Sequence, residues 1–93
     1  MKKCVHIFVH GLVQGVCFRA YTEKQATNLN LTGWVRNRRD GRVEIMAEGS
    51  EPELKEFIDW CSVGAPHSHV KRIDVSWILC EQDFNTFDVI QTR

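Results

Sequence analysis

The chain has 93 residues, enough for one domain around a single core and too few for a second of ordinary size. Hydrophobic residues make up 43% and charged residues 26%, the balance of an ordinary globular protein rather than a disordered, collagenous or membrane chain. Twelve Lys and Arg offset twelve Asp and Glu, so there is no global field to hold nucleic acid or a membrane surface, and any anion site has to be local.

Met1-Lys2-Lys3 is basic, but the apolar run after it is short, interrupted by His6 and His10, and lacks a small-residue cleavage site. No apolar stretch approaches the roughly 20 residues of a membrane helix. A cytoplasmic protein is expected, with Cys4, Cys17, Cys61 and Cys80 held as thiols, since they form no CxxC pair and suggest no disulfide framework.

Val5, Ile7 and Val9 alternate with His6, Phe8 and His10, which predicts a first strand ending at Gly11. The stretch Gly11-Leu12-Val13-Gln14-Gly15-Val16-Cys17-Phe18-Arg19 then leads into a helix whose buried face is Phe18, Thr22, Ala26 and Leu29. That helix is expected to stop near Asn30, a residue tolerant of the left-handed cap conformation. Trp34 to Arg39, then Asp40-Gly41, then Val43, Ile45 and Ala47 in alternation predict a β-hairpin. Ser50, Pro52 and Glu53 spell the start of a second helix with a capping box, and Leu54, Phe57, Ile58 and Cys61 form its apolar stripe. Gly64 and Pro66 end it. Ile73, Val75, Trp77 and Leu79 predict a fourth strand, and Phe87 and Val89 a short fifth. This order is the split βαβ arrangement: an α+β, ferredoxin-like βαββαβ sandwich, with an antiparallel sheet, two helices on one face and a short fifth strand. Residues 1–93 read as a single domain.

Two side chains fit poorly with these elements. Arg19 lies in the first turn of a helix, where the positive end of the dipole repels it, so it asks for a negative partner. One answer is a surface carboxylate. The other is a bound anion, because glycines let backbone amides close on an oxyanion, a helix start adds free donors, and guanidinium matches two phosphate oxygens. Asn37 is placed by alternation on the same face as Val35, a polar group against an apolar layer. It either satisfies neighbouring backbone groups near a strand end or holds a water, since an amide can orient a nucleophile without titrating.

Gly11-x-Val13-Gln14-Gly15-Val16-x-Phe18-Arg19, followed by Thr32-Gly33-Trp34-Val35-Arg36-Asn37 and Asp40-Gly41-x-Val43-Glu44, closely resembles the two motif blocks of acylphosphatases, and Gly64-Ala65-Pro66 resembles the family's segment before the fourth strand. The resemblance spans nearly the whole chain. It implies an enzyme that hydrolyses an acyl phosphate to a carboxylate and inorganic phosphate. It also implies that Arg19 binds the phosphate with the amides of the Gly11 to Arg19 loop, and that Asn37 orients the attacking water. No metal and no cofactor enter this expectation, and the partner is a small-molecule substrate, with neither nucleic acid nor membrane, acting on a monomer. Asn30 stands where many members carry glycine, and Cys17 occupies a variable position within the cradle. Related domains also occur inside larger proteins without turnover, which leaves a noncatalytic domain as the competing reading.

Other constellations carry less. Cys4, His6 and His10 share one strand face without a second pair of ligands, and His67 and His69 read as loop residues, so neither set makes a metal site. Cys17 near a helix start and Arg19 is a candidate reactive thiol, but no histidine is placed beside it. Arg36, Arg38, Arg39 and Arg42 read as a solvated basic rim that steers an anionic substrate, because the aromatic-rich strands of RNA-recognition modules are missing.

Overall fold

The computed structural model describes residues 2–93. Seven elements follow one another: β1 (Lys3–Leu12), α1 (Phe18–Asn28), β2 (Thr32–Asn37), β3 (Val43–Gly49), α2 (Glu51–Val63), β4 (His69–Ile78) and β5 (Phe87–Val89). The strands form one sheet in the order β4-β1-β3-β2-β5. The ferredoxin-like arrangement expected from the element order is therefore present.

Alternation decides what the sheet buries. Val5, Ile7 and Val9 pair with Ala47, Ile45 and Val43 across the β1/β3 ladder, and all six are fully buried. Phe18, Thr22 and Ala26 of α1 and Leu54, Phe57 and Cys61 of α2 pack on that layer. Thr22 is admitted because its hydroxyl donates to the Phe18 carbonyl at 2.8 Å, which satisfies a polar group that would otherwise be stranded in the core. At fully buried Cys61, burial pushes the thiol pKa well above its ordinary value, so this sulfur is an inert core group.

The helix ends follow the local chemistry with one difference. Asn30 adopts φ 60° after α1, the left-handed conformation its side chain tolerates. Ser50 does precede α2, but its hydroxyl donates to the Glu53 carboxylate at 2.7 Å rather than bonding a helical amide, so the reciprocal capping box is not formed. Gly64 closes α2 at φ 85°.

The short fifth strand pairs with β2 in parallel, which makes the otherwise antiparallel sheet mixed, because the segment after β4 crosses the end of the sheet before β5 runs alongside Gly33, Trp34 and Val35. Two expectations need correction. Leu79 falls outside β4 and is 83% exposed, and Trp77 is 46% exposed, so the apolar alternation of β4 overruns what α2 covers. Most directly, Cys4 and Cys80 are joined as a disulfide, with Cα atoms 5.4 Å apart. Cys4 lies opposite Ile78 in the β1/β4 ladder, which brings the second residue beyond Ile78 onto it. Spacing along the chain hides this pairing, since 76 residues separate the two sulfurs.

Candidate active site

β1 runs on to Leu12, with a register irregularity between His10 and Gly11. Gly11 sits at φ 129° against the backbone of His69, where a Cβ would overlap the carbonyl oxygen. Gly11 and Leu12 thus belong to the strand that launches the loop. The loop proper is Val13 to Cys17, and Gly15 turns it at φ 75°. Cys17 is exposed and itself left-handed, at φ 60° and ψ 22°, immediately before α1. The Tyr21 amide closes the first turn on the Cys17 carbonyl at 3.2 Å, leaving the amides of Phe18, Arg19 and Ala20 as the open donors of a helix start.

A cleft of about 430 Å³ forms above this loop, lined by Val13, Gln14, Gly15, Cys17, Phe18, Arg19, Ala20, Glu23, Asn37 and Val89. The two singled-out side chains, 18 positions apart in sequence, thus meet in one cavity. Gly11, Leu12 and Val16 of the expected cradle do not line it. Among the described residues, Arg19 makes no ion pair, while Glu23, one helical turn on, lines the same cleft. Arg19 remains a guanidinium at a helix start with its charge unpaired.

Asn37 is the last residue of β2 and pairs with Val43, so its side chain takes the helix-covered face, as alternation requires. Its Oδ1 is buried and has no hydrogen-bond partner in the protein. An orphaned buried carbonyl costs about 1–3 kcal/mol, so Oδ1 is an acceptor open to a donor, such as a water, in the adjoining cleft. The backbone of Asn37 faces away from β3, like those of Gly33 and Val35, and the Arg93 amide donates to its carbonyl at 3.1 Å.

Gln14 has a role that the sequence did not disclose. Its Nε2 donates to the carbonyls of Arg38 and Arg42, at 2.7 and 2.9 Å, and so ties the cradle to the hairpin that follows Asn37. Glu23 was also missed, although its spacing of four from Arg19 put both on one helix face. The arginine rim is different from the expected solvated one. Arg36 and Arg38 bond Glu44 at 2.8 and 3.3 Å, Arg42 pairs with Asp40 at 2.8 Å, and only Arg39 of the four stands without a carboxylate partner among the described residues. These pairs neutralise most of the charge that steering would use.

Glu44 organises the uncovered face of the sheet. Burial raises its pKa, but the Arg36 and His6 contacts outweigh that and hold it below the ordinary glutamate value. Arg36 also lies over the Trp34 ring and Arg42 over Phe8, at 4.7 and 4.3 Å from the centroids, so the aromatic surface there is already occupied by the chain's own cations.

The acylphosphatase family model matches residues 5–89. An acylphosphatase of Syntrophus aciditrophicus is 44% identical over 90 residues, covering 97% of this chain and 94% of its own. Among solved structures, the acylphosphatase of Bacillus subtilis superposes with a TM-score of 0.92 at 40% identity, covering 97% of this chain and 99% of the other. The acylphosphatase of Coxiella burnetii superposes with the same TM-score at 36% identity, covering 96% and 93%. With the match spanning both halves of the cleft and both singled-out residues, this chain belongs to the acylphosphatase family.

Proposed function

We infer that this enzyme hydrolyses the carboxyl–phosphate bond of acyl phosphates, with Arg19 and the loop amides holding the phosphoryl group and Asn37 holding the water. The observation that carries the reading is the buried, unpartnered Oδ1 of Asn37 in the same cleft as the unpaired guanidinium of Arg19. Oδ1 accepts a hydrogen bond from the water and thereby aims an oxygen lone pair at phosphorus. The new O–P bond forms as the bond from phosphorus to the acyl oxygen breaks, and the electron pair leaves on a carboxylate. That leaving group is stable without an acid catalyst. Charge on the equatorial oxygens is met by the guanidinium fork and the helix-start amides, which are in place before the reaction begins.

The water must still lose a proton. A phosphoryl oxygen takes it, giving inorganic phosphate directly. Glu23 is the one carboxylate that lines the cleft, and it supplies the competing reading of a protein base. A residue holding phosphate by charge and a residue holding water by dipole draw on no metal, so turnover is expected to survive chelation.

The catalytic unit is read as the single domain of residues 1–93, working as a monomer in the cytoplasm on a small-molecule substrate. No helix of the described residues is long and apolar enough to cross a membrane. The decisive assay is phosphate release from benzoyl phosphate in the presence of EDTA, with p-nitrophenyl phosphate as the control ester. Fast hydrolysis of the acyl phosphate alone, retained in Glu23→Gln with an unchanged pH profile, is expected. Equal rates on both substrates would contradict the substrate class, and loss of one limb of the pH profile in Glu23→Gln would move the proton to Glu23.

A further inference from the structure

At the opposite end of β1 from the cleft, Glu48 is buried to 1% exposure. Its Oε1 is saturated, accepting from Lys2 Nζ at 3.3 Å, Thr32 Oγ1 at 3.1 Å and the Phe84 amide at 3.0 Å. Its Oε2 has a different neighbour, the Cys4 sulfur, at 3.6 Å. With the disulfide reduced, the Cys4 thiol is the donor that faces this oxygen, and a metal that displaces the thiol proton takes its place between sulfur and carboxylate.

Cys4, Cys80 and Glu48 each offer one ligand atom, and these atoms lie within 4.8 Å of one another. We propose that, with the disulfide reduced, Cys4 Sγ, Cys80 Sγ and Glu48 Oε2 bind one zinc ion, a site separate from the catalytic cleft. Zinc–sulfur and zinc–oxygen bonds of about 2.3 and 2.0 Å at a tetrahedral angle place S and O about 3.5 Å apart, close to the distance between Cys4 and Glu48. The two sulfurs must open to about 3.8 Å by the same geometry. Cys80 is free to make that movement, because it is exposed and lies beyond the end of β4. Lys2, Thr32 and the Phe84 amide hold Oε1 and so leave Oε2 turned to the metal, the arrangement by which outer partners orient a ligating carboxylate. The fourth position is left to water from the adjoining cavity of about 570 Å³, which Cys4, Trp34, Met46 and Phe84 help to line.

The chemistry balances with a thiol reductant. Two electrons and two protons convert the disulfide to two thiols as the reductant becomes its own disulfide, and zinc then displaces both thiol protons. Two thiolates and a carboxylate favour zinc over magnesium or calcium, which prefer all-oxygen sites. Eight residues of strand separate Cys4 from Leu12, about 26 Å at roughly 3.3 Å per residue, so the ion takes no part in phosphoryl transfer.

The test is an anaerobic titration of the phosphine-reduced, chelator-cleared protein with Co²⁺ and then Zn²⁺, followed by absorbance. One equivalent of Co²⁺ is expected, with sulfur-to-cobalt charge-transfer bands that Zn²⁺ abolishes. The oxidised protein is expected to show none. Cys80→Ser, at an exposed position, should weaken Zn²⁺ binding by at least about 100-fold, more than Thr32→Val, where about 10-fold is expected from the loss of an orienting partner. Cys17→Ser should bind as the parent does. Absence of a one-equivalent complex in the reduced protein, or unchanged affinity in Cys80→Ser, would overturn the proposal.

Discussion

Replacing Gln14 separates two roles that its place in the phosphate loop leaves confounded. If its side chain touched substrate, Gln14→Ala would change affinity and leave stability alone. The structure instead gives it two hydrogen bonds, to the Arg38 and Arg42 carbonyls, that join the cradle to the Asn37 hairpin. Each such bond contributes about 0.5–1.5 kcal/mol net, so the pair stabilises by about 1–3 kcal/mol. Both carbonyls keep a second partner, since Arg38 O accepts from Gly41 N at 3.1 Å and Arg42 O from Arg38 N at 2.8 Å. The lower half of that range, about 1–2 kcal/mol, therefore applies. For a domain of this size it corresponds to a fall in Tm of about 4–16 °C. Gln14→Glu should be worse than Gln14→Ala, because it keeps the shape, loses both donors and sets a carboxylate against two carbonyl oxygens. Thermal unfolding by circular dichroism, paired with kcat and KM on benzoyl phosphate, reads both effects. A Tm within 1 °C of the parent in Gln14→Ala (about 0.2 kcal/mol), or a Gln14→Glu protein as stable as Gln14→Ala, would refute the brace.

Two further outcomes follow from the same geometry. Glu44 has its pKa lowered in the folded protein, so its stabilisation is complete above the unfolded value and is lost as pH falls through the folded one. The stability gap between the parent and Glu44→Gln, measured by urea unfolding, should therefore shrink between about pH 5 and pH 3, where carboxylates titrate; a gap that stays constant would contradict the ion-pair cluster. Cys17 is a non-glycine residue held left-handed before α1, so Cys17→Gly should be at least as stable as the parent, by up to about 1 kcal/mol, and Cys17→Val less stable by a similar amount. Denaturant midpoints that rank Val above Gly would show that the loop does not impose this conformation.

The parts of the fold legible in the sequence are those set by local period. Alternation through Val35 and Asn37 put an amide on the covered face, and the β2/β3 register bears that out. Spacing of four placed Phe18, Thr22 and Ala26 inward, as found. What depends on a distant strand was not readable. The Cys4–Cys80 bond arises from the β1/β4 register, the parallel direction of β5 from the route taken after β4, and the Gln14 brace from a turn 24 residues away. The arginine rim misled for a related reason: Arg36 and Arg38 looked free in one dimension, whereas the hairpin folds Glu44 back between them. Glu23 alone was missed with its signal in view, four residues after Arg19.

The division of labour between Arg19 and Asn37 is tested most directly by measuring inorganic phosphate binding by titration calorimetry alongside benzoyl phosphate turnover in Arg19→Ala and Asn37→Ala. The expected result is that Arg19→Ala weakens phosphate binding by about tenfold or more, the loss of a charge-assisted contact worth about 1.5–3 kcal/mol. Asn37→Ala should keep phosphate affinity within about threefold and lose about 10²–10³ in kcat, the effect of removing one positioned group. Turnover at the parent rate in Asn37→Ala, or equal loss of phosphate binding in both variants, would contradict the account.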